Sequence, residues 1–409
     1  MALVRVLSVV GYFALPPAFF IGFALLSGGL EGYGPLHAAS FACGITSYLM
    51  FCLQFVLAAR PRLLERAFGL DALFRFHAGA APAAILLAVA HGQFLVLAQG
   101  KAPGYLPYTL GGIALTAYAV LGIAAVLLLG GARVGGIHAV ARMRSIAQRA
   151  GLDYGRSKVF HNASLIVSAV ACVHALAVPV VAYSSPLRLL FALPFAAAFC
   201  FWLRHKAFRS GRSFGIVAME REAPRVTMLR VRALDEYSWK PFRGLRAGQF
   251  AFIRPRIPGL GREFHPFTIA GWDAGSHELV FRIKAVGDWT MRLLDSIPSF
   301  PGERGDHPWT VALDGPCGRF CLGDRMPKGC EQGPVVCIAG GIGVTPFLAM
   351  AAEELRRESQ RPFLLLWGAR TREDLVGLAE LADMTRRRPM IRTVPVLSAD
   401  PPWQGPRGK

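Results

Sequence analysis

Residues 161–174 read HNASLIVSAVACVH, an imidazole at each end of a run of apolar and small residues. The run has the composition of a membrane-spanning helix, where ionisable side chains are costly and normally have a function. A matching stretch lies upstream, HAGAAPAAILLAVAH, from His77 to His91. The two pairs are separated by thirteen and fourteen residues. At ~1.5 Å per residue, the members of each pair lie about 20 Å apart along a helix.

The surrounding sequence is membrane-like as well. The 409 residues are 53% hydrophobic, with a mean hydropathy of +0.40, too apolar for a soluble chain of this size. The apolar residues form six blocks, roughly Val4–Leu26, Leu36–Ala59, Phe76–Ala98, Tyr108–Gly130, His161–Ala182 and Leu189–Leu203. The first five approach the ~20 residues needed to cross a bilayer; the last is near the short end. The first block lacks a convincing small-residue cleavage site and is followed by five more, so it reads as a span and not a signal peptide. Residues 1–203 are thus expected to be an all-α six-helix membrane domain.

Charge gives the orientation. Arg60, Arg62, Arg66 and Arg75 follow the second block. Arg133, Arg142, Arg144, Arg149, Arg156 and Lys158 follow the fourth, and Arg204, Lys206, Arg209 and Arg212 follow the sixth. The other connections hold only Lys101 and Arg188. By the positive-inside rule the N-terminus and everything after Leu203 are cytoplasmic. Much of the net charge of +19 is then a topology and membrane-surface signal. It does not read as a nucleic-acid surface, because the basic residues flank apolar spans and do not alternate with exposed aromatics. Of the eight cysteines, Cys43, Cys52, Cys172 and Cys200 lie in spans, and Cys317, Cys321, Cys330 and Cys337 match no zinc or iron–sulfur spacing. All eight read as structural.

Any one of the four histidines could be an ordinary polar residue in a bundle. Two on the third block and two on the fifth, at nearly equal spacing and on spans of the same direction, point to a shared task. Facing imidazoles from two helices are axial ligands for a haem iron. His77 with His161 and His91 with His174 would hold two haems, one toward each side of the membrane. Helical phase complicates the picture: fourteen residues return to within ~40° of the starting face, but thirteen land ~140° away. The fifth helix must bend, change its winding, or hold the haems from different sides, and no proline lies between its histidines.

After residue 203 the pattern changes to short alternating strands, FGIVAMEREAPRVTMLRVRAL, GQFAFIRP and ELVFRIKAVG, which suggest a small antiparallel barrel. Within it lie HPFTIAG (His265–Gly271) and KAVGDWT (Lys284–Thr290). Farther on, VVCIAGGIGVTPFLAM runs from a buried strand through a glycine loop into a helix, with Thr345 placed as N-cap and Pro346 as first helical residue. Gly340, Gly341 and Gly343 would let the backbone approach a pyrophosphate, whose charge a helix N-terminus favours.

With these motifs in place, the chain resembles the ferric reductase and NADPH oxidase superfamily: a six-helix haem domain joined to a ferredoxin–NADP reductase-like module. The resemblance covers all but the C-terminal end. It implies an FAD-binding barrel over residues 204–316 and an α/β NADP-binding domain over 317–409. It assigns the four histidines as ligands of two b-type haems, with His265, Pro266, Phe267 and Thr268 at the flavin. Lys284, Gly287 and Thr290 would lie at its pyrophosphate, with Gly340, Gly341, Gly343, Thr345 and Pro346 at the nicotinamide nucleotide. DGPCG (Asp314–Gly318) would be the hinge between the two domains. Arg370, at the end of LLLWGAR, is a candidate for the 2′-phosphate of NADPH, with NADH the alternative donor. Arg75, Arg156 and Lys158 could pair with haem propionates.

The implied activity is transmembrane electron transfer from NAD(P)H through FAD and the haems to an external acceptor, ferric chelate or dioxygen. The rival reading is a channel or transporter with a nucleotide-sensing domain, whose histidines carry protons; it leaves HPFT without a purpose. Family members also continue past a segment like VLSADPPWQGPRGK (Val396–Lys409). The nucleotide domain is therefore expected to be incomplete at its C-terminal end, with an unpaired sheet edge, exposed apolar surface and poor reduction by NADPH.

Overall fold

Six helices among the described residues are long and apolar enough to cross a membrane. The structure, a computed structural model, describes residues 2–100, 106–129, 138–149, 154–207, 211–261, 263–300, 309–322 and 333–400, with Trp403, Gly405 and Pro406. Two compact units divide the chain, Met1–Phe208 and Arg209–Lys409.

The first unit contains α1 (Ala2–Leu26), α2 (Pro35–Ala59), α3 (Leu70–Gln99), α4 (Leu106–Leu129), α5 (Ser164–Ala177) and α6 (Ser185–Ala207), with the fifth span running Val159–Ala177. Two start earlier than the apolar blocks suggest. α3 begins at Leu70, directly after Gly69 in a left-handed backbone (φ 83°), because the charged residues before Phe76 include no helix breaker. α6 has 23 residues and is a full-length span. Half of the apolar stretch of α2 is buried, against 11–17% in the others, so α2 is the central helix. Leu25, Leu86, Leu97 and Ile166 are more than 60% exposed, as a lipid-facing surface requires.

The phase problem of the fifth span has a structural answer. A separate helix, Tyr154–Asn162, carries His161, and α5 carries His174, with a turn at Ala163 between them. There the Ala163 amide bonds the Phe160 carbonyl (3.0 Å) and the Ile166 amide bonds the Ala163 carbonyl (2.9 Å). These three-residue steps overwind the chain and rotate His161 out of the regular phase of α5. No proline is needed.

The second unit opens with a closed antiparallel barrel of order β1-β2-β5-β4-β3-β6. Its strands are β1 (Arg212–Ala223), β2 (Val226–Ala233), β3 (Phe250–Arg256), β4 (His265–Asp273), β5 (Glu278–Lys284) and β6 (Thr310–Cys317). β6 closes it by pairing with both β1 and β3. The inward residues Phe214, Leu229, Val231, Leu279, Phe281 and Leu313 are almost wholly buried. The helix α7 (Asp288–Asp295) follows β5. A parallel sheet then runs β7 (Val335–Gly340), β8 (Phe363–Ala369), β9 (Ile391–Leu397), with α8 (Thr345–Arg356) and α9 (Leu378–Arg387) as its helices. One face packs Cys337, Leu365 and Trp367 against α8, while Val336 and Ile338 on the other face are 60% and 75% exposed. Burial pushes the Cys337 thiol up to about 11, so it is a packing group and not a nucleophile at neutral pH.

Barrel and sheet are joined by a buried ion cluster. Arg282 of β5, its side chain 2% exposed, bonds Glu222 of β1 (2.7 Å) and Glu380 of α9 (2.6 Å). Glu222 also accepts from the Gly377 amide at the start of α9 (2.9 Å). Burial would lower the Arg282 pKa, but the bonds to Glu222 and the charge of Glu380 raise it instead. Nearby, the Ala247 amide donates to Glu353 of α8 (3.0 Å). Gly248, with φ +94°, lies where a Cβ would come within 1.8 Å of the Phe320 carbonyl oxygen.

Candidate functional site

The four histidines meet in two pairs. The ring centres of His77 and His161 are 6.2 Å apart, and so are those of His91 and His174. A nitrogen bonds a metal ion at about 2 Å, with its ring centre about 1 Å behind it, so two imidazoles on opposite sides of one metal have centres about 6 Å apart. Both pairs fit that requirement. Among the described residues no group of three or more His, Cys, Asp or Glu side chains gathers around a metal position. A pair of imidazoles at this separation would fit a metal whose remaining ligands come with it, as in a haem.

The His91–His174 pair is oriented by backbone. His91 Nδ1 lies 2.9 Å from the Ser40 carbonyl, while the Ser40 hydroxyl donates to the His91 carbonyl (2.9 Å). His174 Nδ1 lies 2.6 Å from the Pro107 carbonyl. Each Nδ1 thus carries the proton, leaving the Nε2 lone pairs free to ligate, the arrangement that fixes metal-binding histidines. Glycines let these rings come close. A Cβ on Gly44 would lie 2.8 Å from His91, and one on Gly111 would lie 2.9 Å from His174. Around the pair is a mostly apolar cavity of about 420 Å³, its lining including Phe41, Tyr48, Leu115 and Phe191. Ligand cavities fall in this range. Ser40, Gly44, Pro107 and Gly111 are functional candidates that the histidine spacing does not reveal. The signal for them is small residues on the neighbouring spans, legible only once the helix neighbours are known.

At the other pair, His77 Nδ1 and His161 Nδ1 are buried without a hydrogen-bond partner among the described residues. Arg75 is exposed, and the side chains of Arg156 and Lys158 lie outside the described residues, as does Cys330.

In the barrel, β4 holds His265, Pro266, Phe267 and Thr268 in register with Ile253, Phe252, Ala251 and Phe250 of β3. The Trp289 ring lies 4.2 Å from that of His265 and 5.8 Å from that of Phe267, so this motif and KAVGDWT form one surface. Thr290 has a local role. Its hydroxyl accepts from the amides of Val286 (2.9 Å) and Gly287 (3.0 Å), shaping the entry to α7.

The glycine loop follows β7 as a 3₁₀ turn, Gly341–Val344, which runs straight into α8. Thr345 is not the N-cap. It is already helical, and its hydroxyl donates to the Ile342 carbonyl (3.2 Å), because the 3₁₀ turn supplies the entry that a cap would. Pro346 accordingly sits one position further in. The Trp367 indole donates to the Gly341 carbonyl (3.0 Å) and pins the loop from beneath. Open space surrounds Gly340, Gly341 and Gly343 where a Cβ would stand, which is the room a pyrophosphate needs. A cleft of about 310 Å³ lies beside the loop, lined by Lys284, Gly341, Arg370, Asp374 and Ser398 among others. It sits at the carboxyl ends of the parallel strands, where such sheets bind nucleotides. Lys284 Nζ reaches Asp374 at 3.5 Å, so this lysine also faces the nucleotide side.

Known families correspond to these two parts. Residues 228–320 match the FAD-binding domain family and 337–409 the oxidoreductase NAD-binding domain family. The propane 2-monooxygenase reductase component of Mycolicibacterium smegmatis is 31% identical over 45% of the chain and 47% of its own length. NADPH oxidase 3 of Homo sapiens is 36% identical over 25% of the chain and 17% of its own length. Ferric reduction oxidase 7, chloroplastic, of Arabidopsis thaliana is 26% identical over 34% and 20%. The resemblance to the ferric reductase and NADPH oxidase superfamily is borne out. Residues 228–320 and 337–409 are thus an FAD-binding and an NAD-binding domain, and they follow an integral membrane unit. It spans about half the length, or less, of the curated relatives it matches.

Proposed function

We propose that the protein carries electrons across a membrane, from NADPH on the cytoplasmic side through FAD and two b-type haems to an external acceptor, ferric chelate or dioxygen. The observation that carries this reading is the pair of equal histidine separations in the membrane unit of a chain that also holds a flavin and nicotinamide module. The basic connections support the cytoplasmic placement of both termini. When bound, FAD supplies two-electron to one-electron conversion and the haems supply one-electron carriage.

The residues then have definite tasks. His77 and His161 would hold one haem on the cytoplasmic side, and His91 and His174 the outer one. Ser40 and Pro107 keep Nδ1 protonated so that Nε2 can bind iron, and Gly44 and Gly111 give the imidazoles room. His265, Pro266, Phe267 and Thr268 would present β4 to the flavin, with Lys284 and the start of α7 toward its pyrophosphate. Gly340, Gly341 and Gly343 would admit the nucleotide, and Arg370 would meet a 2′-phosphate.

The decisive experiment is the absorbance of isolated membranes given NADPH without oxygen. Haem reduction is expected, and its reversal by air or by ferric chelate identifies the acceptor. An absence of haem absorbance would overturn the reading.

Two variants probe its parts. Gly111→Ala places a methyl group against His174, and overpacking of this kind costs about 1–3 kcal/mol. The outer haem is expected to be retained about tenfold more weakly, measured by its loss on dilution into detergent, with the other haem unaffected. Arg370→Ala removes a charged hydrogen bond, which contributes about 1.5–3 kcal/mol. Since every 1.4 kcal/mol is tenfold, the KM for NADPH should rise about tenfold while that for NADH stays constant. Equal changes for both donors would mean that Arg370 does not read the phosphate.

A further inference from the structure

The central helix α2 carries three buried polar side chains among the described residues, Ser40, Ser47 and Gln54. They are spaced by seven and so share one face, which drifts only about 20° per heptad. The first two face α3: Ser40 meets His91, and the Ser47 hydroxyl donates to the Ala84 carbonyl (2.8 Å). Because α2 and α3 are antiparallel, seven residues forward on α2 match seven back on α3, from His91 to Ala84. The next step brings Gln54 level with His77. α3 continues as a helix through Pro82, and Phe51, one turn before Gln54, stacks on Tyr118 of α4 (3.7 Å), which fixes the inward direction of this stripe.

Gln54 is 8% exposed, yet among the described residues neither its amide oxygen nor its amide nitrogen has a hydrogen-bond partner, and nor does His77 Nδ1. Leaving such groups unpaired in an apolar bundle is costly. At the other histidine pair, α2 supplies the carbonyl that takes the Nδ1 proton of His91. We propose that Gln54 does the same for His77, its amide oxygen accepting the Nδ1 proton when the imidazole is fixed on a haem iron. Gln54 is then a positioning residue that acts through His77. The proposal rests on the two-haem reading.

A hydrogen-bond acceptor behind a ligating imidazole makes it a stronger donor and favours the oxidised metal. The test is an anaerobic redox titration of the purified protein, Gln54→Leu and Gln54→Glu, followed by absorbance and electron paramagnetic resonance. The same variants in a His91→Ala background assign the His77–His161 haem. Its midpoint potential should rise in Gln54→Leu and fall in Gln54→Glu, while the His91–His174 haem stays unchanged in both. Unchanged potentials at the His77–His161 haem overturn the proposal, as do equal shifts at both haems, which mark a general change of the bundle. If Gln54→Leu fails to assemble, the sign of the shift in Gln54→Glu decides. A wild-type protein with no bis-histidine haem signal defeats the two-haem reading instead, before any variant is compared.

Discussion

Replacing His91 or His174 with alanine should halve the haem content, from two per chain to one, while NADPH still reduces the flavin at an undiminished rate. One imidazole cannot do the work of two in an apolar cavity of about 420 Å³. The ring centres are 6.2 Å apart, and the partner's free Nε2 would face iron alone. Flavin reduction depends on residues 209–409, a separate compact unit. Haem content by pyridine haemochrome, together with stopped-flow bleaching of the flavin, tests both halves of the expectation. Full haem content in both variants would show that these histidines are ordinary polar residues of the bundle.

Arg282→Met should loosen the flavin and nucleotide domains from one another. The guanidinium is 2% exposed and holds Glu222, itself 20% exposed, and the half-exposed Glu380. Breaking a buried ion pair by removing one partner typically costs 3–5 kcal/mol; with Glu380 partly solvated, about 3 kcal/mol is expected. For a unit of this size each kcal/mol shifts Tm by roughly 2–4 °C, so flavin release on heating should move down by roughly 10 °C. Glu222 also fixes the Gly377 amide at the start of α9 (2.9 Å), so hydride transfer from NADPH should slow more than FAD binding weakens. Glu380→Gln, at a half-exposed position, should change Tm by less than about 1 kcal/mol would. Equal losses in the two variants would mean that burial of Arg282 is not what joins the domains.

The two histidine pairs and the barrel were legible in one sequence because each rests on local periodicity. Apolar length marks a span, a repeat of fourteen or thirteen marks the histidines, and alternation marks β1, β2, β3 and β5. The start of α3 was not legible, since Leu70–Arg75 is helical by continuity of the chain and not by apolarity. Thr345 was misplaced for a related reason: a cap is inferred from residue type, whereas the 3₁₀ turn before α8 depends on the Trp367 indole beneath it. The cleft lining of Lys284 with Arg370 and Asp374 joins the barrel to the sheet across long stretches of chain, and no pattern within either stretch encodes it.

What the sequence by itself determined is therefore the class of each segment and which residues are candidates for the metal and nucleotide sites, because period, length and residue chemistry are properties of neighbours along the chain. The tertiary structure alone decided that both expected histidine pairs close to 6.2 Å, that a turn at Ala163 interrupts the fifth span, and that Ser40, Pro107, Gly44 and Gly111 lie against His91 and His174. The register of α2 against α3, marked by Ser40 at His91 and Ser47 at Ala84, likewise became visible only there. Those facts are contacts between helices, fixed by close packing of side chains and by the need to satisfy polar groups in an apolar medium, and the linear order of residues does not state them.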